Sequence, residues 1–167
     1  YLYVSKTQCE VGRCSEAIAD ADKALSMSKE IAASDKQNAD FAAVVRAAEE
    51  NKGELLVRSG RFDEAIRLLS PTLEEFERLM SSDPNDKLLA FSAAAVREQL
   101  GRAHLMSGMK DTKGKFVSKE VATGCSMLRA AFDVFKEFRD AGLTTGEEAA
   151  RAEVISADLE KCTSIGR

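Results

Sequence analysis

A short pattern occurs twice in this chain of 167 residues. The segment GRCSEAI, which begins at Gly12, returns as GRFDEAI from Gly60, and a third glycine, Gly108, follows at the same spacing of 48 residues. A pattern that recurs at a fixed interval indicates that one structural unit was copied, and copied units usually stack into an elongated array. Such an array presents an extended binding surface rather than a catalytic pocket.

The composition favours helices and excludes several classes of partner. Only two prolines and no tryptophan occur, and Ala, Glu, Lys, Leu and Arg are abundant. The net charge of -4 argues against a nucleic-acid binder, and no apolar run approaches the ~20 residues that cross a bilayer. We therefore expect an all-α protein with neither nucleic acid nor membrane as partner. Because Tyr1 lies within an apparent helix and is not Met, we expect a segment of a longer protein.

Apolar residues at helical spacing predict seven helices. We expect one domain over 1–167, with hairpins over roughly 1–34, 36–82 and 85–141 and a capping helix over roughly 145–163. Glycines are expected to end these helices because glycine adopts the left-handed conformation at little cost; they are Gly12, Gly60, Gly108 and Gly142.

Three further local features predict a helix cap, a bent or divided helix, and a loop. Ser34 and Asp35 are expected to cap the start of the third helix. Pro71 is expected to bend its helix or to split it in two, because proline cannot donate a backbone hydrogen bond. Residues 109–117 lack helical periodicity and predict an inserted loop, whose order and role the sequence leaves open.

The spacing of small residues resembles that of tetratricopeptide repeats, in which a glycine midway along the first helix is followed seven residues later by the glycine that ends it. In that family the midway glycine lets the second helix pack close to the first, and a small alanine lies where the two helices cross. Gly53 and Gly60 show this spacing, followed by Phe62 and Ala65, and Gly101 and Gly108 show it again. In the first copy Gly12 and Ala17 match, whereas Ser5 and Cys14 replace the earlier glycine and the aromatic residue. The resemblance implies a right-handed superhelix of about three long hairpins, with a period of 48 residues instead of the usual 34.

The resemblance also implies a concave groove lined by the first helix of each hairpin. The positions that would line this groove, and bind a protein or peptide partner, are Lys6, Cys9, Glu10, Ala47, Glu50, Asn51, Glu54, Val57, Arg58, Glu98, Gln99, Arg102, Leu105 and Met106. The same positions are equally compatible with ordinary solvated faces of amphipathic helices. Adjacent acids such as Glu49 and Glu50 are expected to lie on such faces, since neighbours on a helix diverge by about 100°.

Repeats that bind the acidic tails of heat-shock chaperones contact the carboxylates of the tail with five side chains, Lys, Asn, Asn, Lys and Arg, which are known as a carboxylate clamp. Of the corresponding positions here, Leu2, Lys6, Asn51, Ala95 and Gln99, only Asn51 matches, which argues against that partner. The segment FKEFRDAGL from Phe135, with Cys162 beyond it, resembles the C-terminal repeats that follow some bacterial serine/threonine kinases.

The resemblance leaves three functions open. The first is a non-enzymatic protein-interaction module in a cytoplasmic bacterial protein. The second is a segment that regulates an upstream kinase domain in cis. The third is a structural module that self-associates, as a homodimer, through exposed repeat ends.

Catalytic, cofactor and metal sites are not expected. His104 is the single histidine and falls where the repeat places a packing residue, so no serine or cysteine has an evident base. The four cysteines, Cys9, Cys14, Cys125 and Cys162, lack the spacing of a zinc hook and are expected to be buried reduced thiols.

Overall fold

The computed structural model describes Cys9, residues 11–111 and residues 119–165, and the described residues form six helices without a strand. The predicted all-α class is confirmed. The helices are α1 (Cys14–Ser34), α2 (Ala39–Arg58), α3 (Phe62–Ser82), α4 (Lys87–Asp111), α5 (Lys119–Asp140) and α6 (Gly146–Ile165). The helix expected over residues 1–11 lies almost wholly outside the described residues. The chain divides into two compact units, residues 1–72 and 73–167.

Glycine ends helices where the sequence predicts it at two positions, Gly60 and Gly142, whereas the helix expected before Gly12 lies almost wholly outside the described residues. At the end of α2, Gly60 has a φ of 74°, its N–H donates to the Val57 carbonyl at 3.0 Å, and Arg61 N–H donates to the Leu56 carbonyl at 2.9 Å. This pair of bonds defines a Schellman turn, which satisfies carbonyls that the helix end leaves free. Gly142, at φ 68°, ends α5 in the same way, and Gly12 has a φ of 84° just before α1.

Gly108 does not end a helix, contrary to the prediction. Helix α4 continues through it to Asp111, so residues 109–111 of the predicted loop are helical, and residues 112–117 lie outside the described residues. Glycine inside a helix costs about 1 kcal/mol relative to alanine, an amount that tertiary packing readily offsets. Spacing alone therefore does not distinguish a helix stop from a buried helical glycine.

Of two other local predictions, the cap of α2 is wrong, and one of the two effects expected of Pro71 does not occur. Asn38, rather than Ser34 or Asp35, caps α2: its Oδ1 accepts hydrogen bonds from the backbone of Asp40 at 3.0 Å and of Phe41 at 3.3 Å. Ser34 is the last residue of α1. Pro71 does not split its helix, because α3 is continuous from Phe62 to Ser82.

The core of the first unit lies between α1, α2 and the first half of α3. Its fully or nearly fully buried apolar side chains are Ala17, Ile18, Ala21, Leu25, Leu55, Leu56, Phe62, Ala65 and Leu69. The signature residues Ala17, Phe62 and Ala65 are thus buried, as expected. Polar contacts add to this packing, since Glu49 on α2 accepts a hydrogen bond from Thr72 on α3 and pairs with Lys29 on α1, at 2.8 and 2.9 Å.

The core of the second unit is a single apolar cluster shared by α4, α5 and α6. Its buried members are Ala94, Ala95, Leu105, Val121, Leu128, Ala131, Phe135, Ala152, Ile155 and Leu159. Helix α5 packs on both α4 and α6. The ring of Phe91 contacts that of Phe135 edge-on, with 5.1 Å between centroids. None of the six helices within the described residues is long and apolar enough to span a membrane.

Candidate functional site

Mid-helix glycines allow close helix contacts in both units, as the repeat signature predicts. A Cβ added at Gly53 on α2 would lie 2.5 Å from Leu69 Cδ1 on α3. A Cβ added at Gly101 on α4 would lie 2.8 Å from Leu128 Cγ on α5. Gly124 on α5 was not predicted, yet its contact is as close as that of Gly53 and is made with backbone, since its added Cβ would lie 2.5 Å from the backbone nitrogen of Leu105. Gly53 and Gly101 are 48 residues apart, so both copies of the repeat have a close helix contact at the same position.

The predicted groove positions on α2 lie on one face of the helix and differ in exposure. Ala47 and Arg58 are exposed and Glu50 is half-buried, whereas Asn51 and Glu54 are buried. Glu54 accepts a hydrogen bond from Arg58 Nε at 3.0 Å. No donor among the described residues reaches Asn51 Oδ1, although the atom is buried. A buried acceptor without a donor costs roughly 1–3 kcal/mol, so a hydrogen bond at this oxygen from a bound molecule would be favourable.

The predicted groove positions on α4 are mostly covered. Glu98, Gln99 and Leu105 are buried, Arg102 is half-buried, and Met106 is exposed. Leu105 belongs to the apolar core of the second unit. These three buried side chains cannot contact an added partner in this structure, which leaves Arg102 and Met106 as the accessible positions. Lys6 and Glu10 lie outside the described residues.

Two of the predicted α4 residues belong to an ion-pair network with α6. Glu98 accepts from Arg151 Nε at 2.9 Å and pairs with Arg102 Nη1 at 2.7 Å. Arg102 Nε also donates to Asp158 at 2.8 Å, and Lys161 donates to the same carboxylate at 2.7 Å. Burial raises the pKa of Asp158, but the hydrogen bonds from Lys161 and Arg102 outweigh burial, so that this pKa lies below its ordinary value.

Sequence reasoning missed the partners of this network because they lie far apart in the chain. Arg102 and Asp158 are separated by 56 residues, and Glu98 and Arg151 by 53. Glu49 on α2 also has partners that are distant in the sequence. It was expected on a solvated face, but its carboxylate contacts Lys29 on α1 and Thr72 on α3. In the sequence, each of these residues is simply an acid or an arginine on a predicted helix. Nothing in that pattern distinguishes it from a solvated residue.

The expectation of reduced thiols is wrong. Cys9 is bonded to Cys14 and Cys125 is bonded to Cys162, so the described residues contain no free cysteine. The second disulfide joins α5 to α6 with 5.8 Å between the Cα atoms, an ordinary separation for a disulfide. Its two residues come together because α6 packs on α5, which their separation of 37 residues does not reveal.

His104 is a half-buried residue of α4, near the place where the repeat expects a packing residue. Burial lowers its pKa, and the negative charge of Glu120 only partly offsets this effect. No donor or acceptor among the described residues reaches its Nδ1 atom. Within the same residues, no three His, Cys, Asp or Glu side chains converge as metal ligands.

Comparison of the chain with protein-family models, with curated proteins and with solved structures gives no match. The candidate site therefore rests on the residues and contacts described above.

Proposed function

We propose that this chain is a protein-interaction module of the tetratricopeptide type, with long helices, which binds a peptide or partner domain through the exposed face of α2. The spacing of Gly53 and Gly101, and the tight helix contact at each, support the repeat assignment. Buried Ala65 and the left-handed Gly60 agree with it. A superhelix built from three hairpins is the arrangement that this assignment implies.

The observation that carries the binding proposal is Asn51. Its Oδ1 atom is buried on the predicted binding face and accepts no hydrogen bond from the described residues. Because this oxygen is covered in the structure, a side chain of the α2 face must move on binding, after which a backbone N–H of a peptide partner would supply the missing donor. Glu50 and Arg58, on the same face, supply charges of both signs, so a partner of mixed charge fits better than a strongly acidic or basic one.

A non-enzymatic role is part of the same proposal. General acid–base or nucleophilic chemistry needs a nucleophile within hydrogen-bond reach of a base. His104 is the one histidine of the sequence, and its Nδ1 reaches no polar group among the described residues. We propose no cofactor and no metal for this module.

The cellular setting also belongs to the proposal. The expected cytoplasmic location agrees with reduced thiols, and the two disulfides argue against it. Disulfides persist mainly in oxidising compartments, so we favour such a compartment over the cytoplasm.

Peptide display against the intact, immobilised chain tests the binding proposal. Peptides enriched on the wild type should be lost on Asn51→Ala and on Arg58→Glu, and retained on Arg129→Glu, a matched charge reversal at an exposed residue of α5. Enriched peptides that bind all four proteins equally would place the site elsewhere. Failure to enrich any peptide would contradict peptide recognition by this face.

Self-association is a second candidate function, favoured by exposed apolar side chains in the first unit. Met27 and Ile31 on α1 and Val44 on α2 are each at least half exposed. Light scattering after size exclusion would detect a concentration-dependent dimer, which Ile31→Lys should abolish. A monomer at all concentrations would exclude this candidate.

A further inference from the structure

Helix α6 is held by noncovalent contacts that are concentrated in its middle. Its apolar stripe consists of Ala152, Ile155 and Leu159, all of which are buried. Its ion pairs to α4 come from Arg151 and Asp158. These contacts span residues 151–159, roughly two turns of a helix that has 20 residues.

The two ends of α6 are attached by covalent means. At the first end, the short link after Gly142 connects it to α5. At the other end, the disulfide between Cys162 and Cys125 fixes it to the same helix. Beyond Leu159, the disulfide is the principal attachment that the described contacts show, because Lys161 pairs only with Asp158 of its own helix.

The face of α6 that points away from the core is polar. Its exposed residues include Glu153, Ser156 and Glu160, and Val154 is the one exposed large apolar residue among those whose exposure the structure describes. A helix with one apolar and one polar face covers the end of a helical stack and offers no surface for a further repeat. Its removal would uncover the core side chains of α4 and α5.

We propose that the Cys125–Cys162 disulfide is a redox latch on α6. While the disulfide is intact, α6 stays closed over α4 and α5. When a dithiol reduces the disulfide, α6 is held only by its noncovalent contacts and by its link to α5, and the whole helix opens reversibly. Both cysteines are half-buried rather than fully buried, so a small movement of α6 exposes them to a reductant.

The reaction is a two-electron thiol–disulfide exchange. A thiolate of the dithiol attacks one sulfur of the disulfide, which breaks the bond between Cys125 and Cys162 and forms a mixed disulfide with that cysteine. The released cysteine thiolate takes up a proton. The second thiol of the reductant then attacks the mixed disulfide, which frees the other cysteine and leaves the dithiol oxidised to a cyclic disulfide.

Opening would move Arg151 away from aromatic rings that it now covers. Its guanidinium carbon lies 4.8 Å from the ring centre of Phe135 and 5.8 Å from that of Phe91. Both rings belong to or pack against the core of the second unit. The open form therefore presents an aromatic and aliphatic surface on α4 and α5 that the closed form conceals.

Hydrogen exchange measured by mass spectrometry tests the latch, with dithiothreitol as the reductant. The informative protein is the double variant Cys9→Ser/Cys14→Ser, in which the Cys125–Cys162 bond is the remaining disulfide. The disulfide closes a loop between residues that are 37 positions apart, and a loop of that length lowers the population of the open form by about two to three powers of ten. We expect amides of α6 to exchange faster by roughly that factor after reduction, while α4 and α5 change by less than about tenfold.

Two controls define the outcomes. In Cys125→Ser/Cys162→Ser, the amides of α6 should exchange fast with or without dithiothreitol. This variant keeps the Cys9–Cys14 disulfide, so exchange of its α1 amides reports any effect of reducing that bond. Reoxidation of the informative variant should restore slow exchange. Release of the two thiols without faster exchange in α6 would overturn the proposal. Equally faster exchange in α4, α5 and α6 would also overturn it, because the disulfide would then stabilise the whole unit. A disulfide that resists reduction until the protein is denatured would overturn it as well.

Discussion

Replacing Gly124 with alanine should weaken the packing of α5 against α4. The new Cβ would lie 2.5 Å from the backbone nitrogen of Leu105 and 2.6 Å from the carbonyl oxygen of Gly101, whereas ordinary contacts begin at 3.4 Å. Because both neighbours are backbone atoms of α4, no side-chain rotation relieves the overlap and the helices must separate by nearly 1 Å. Overpacking of this kind costs about 1–3 kcal/mol or more.

The opposing effect is the helix propensity of alanine, which favours it over glycine by about 1 kcal/mol. We therefore expect a net destabilisation of about 1–2 kcal/mol, because contacts with backbone place the strain in the upper part of its range. Urea unfolding followed by far-UV circular dichroism measures it, with hydrogen exchange to assign the transition to α4 and α5. An unchanged or increased stability would refute the close approach of these helices.

Gly53→Ala is the matched comparison in the first unit. Its Cβ would meet the side chain of Leu69, not backbone, at 2.5 Å. A leucine side chain adapts at smaller cost than two helices, so the propensity gain should cancel most of the strain and leave a change of less than about 1 kcal/mol. If Gly53→Ala were the more damaging of the two, the distinction between backbone and side-chain contact would be wrong.

Further predictions concern acid stability and helix ends. The pKa of Asp158 is lowered in the folded chain, so its stabilising effect is complete above the ordinary carboxyl pKa of about 4 and is lost as the pH falls below it; urea unfolding between pH 5 and 3 should show a smaller loss in Asp158→Asn. Burial lowers the pKa of His104, so stability should decrease as the pH falls below about 6.5, a decrease that His104→Gln removes. If either variant keeps the full pH dependence, another group is responsible. Gly60→Ala should cost about 1–2 kcal/mol in the same assay because of the left-handed φ, and no cost would contradict the Schellman turn.

Local features of the fold could be predicted from the sequence where one residue decides the conformation. Gly60 and Gly142 end helices because glycine takes a positive φ without strain, and that requirement is visible in the sequence. The recurrence of apolar residues three and four positions apart likewise predicts the helices themselves. Gly53 and Gly101 were predicted as points of close approach from their place in the repeat, and the structure confirms them.

Features that depend on helix packing could not be predicted. Gly108 resembles a helix stop, yet α4 continues past it, because tertiary contacts outweigh the small propensity cost of glycine. Leu105 falls on the predicted groove face but lies in the core of α4, α5 and α6. The pairing of Cys125 with Cys162 likewise requires that α6 pack on α5, which spacing alone does not specify.

Titration calorimetry tests the central claim, that the α2 face binds a peptide through Asn51. A peptide enriched on the wild-type chain is titrated into wild type, Asn51→Ala and Asn85→Ala, the last being a matched change at an exposed residue of the link before α4. The loss of a hydrogen bond at a buried oxygen costs about 1–3 kcal/mol. We predict a Kd at least about tenfold weaker for Asn51→Ala and unchanged for Asn85→Ala. Equal affinity for all three proteins would contradict the claim.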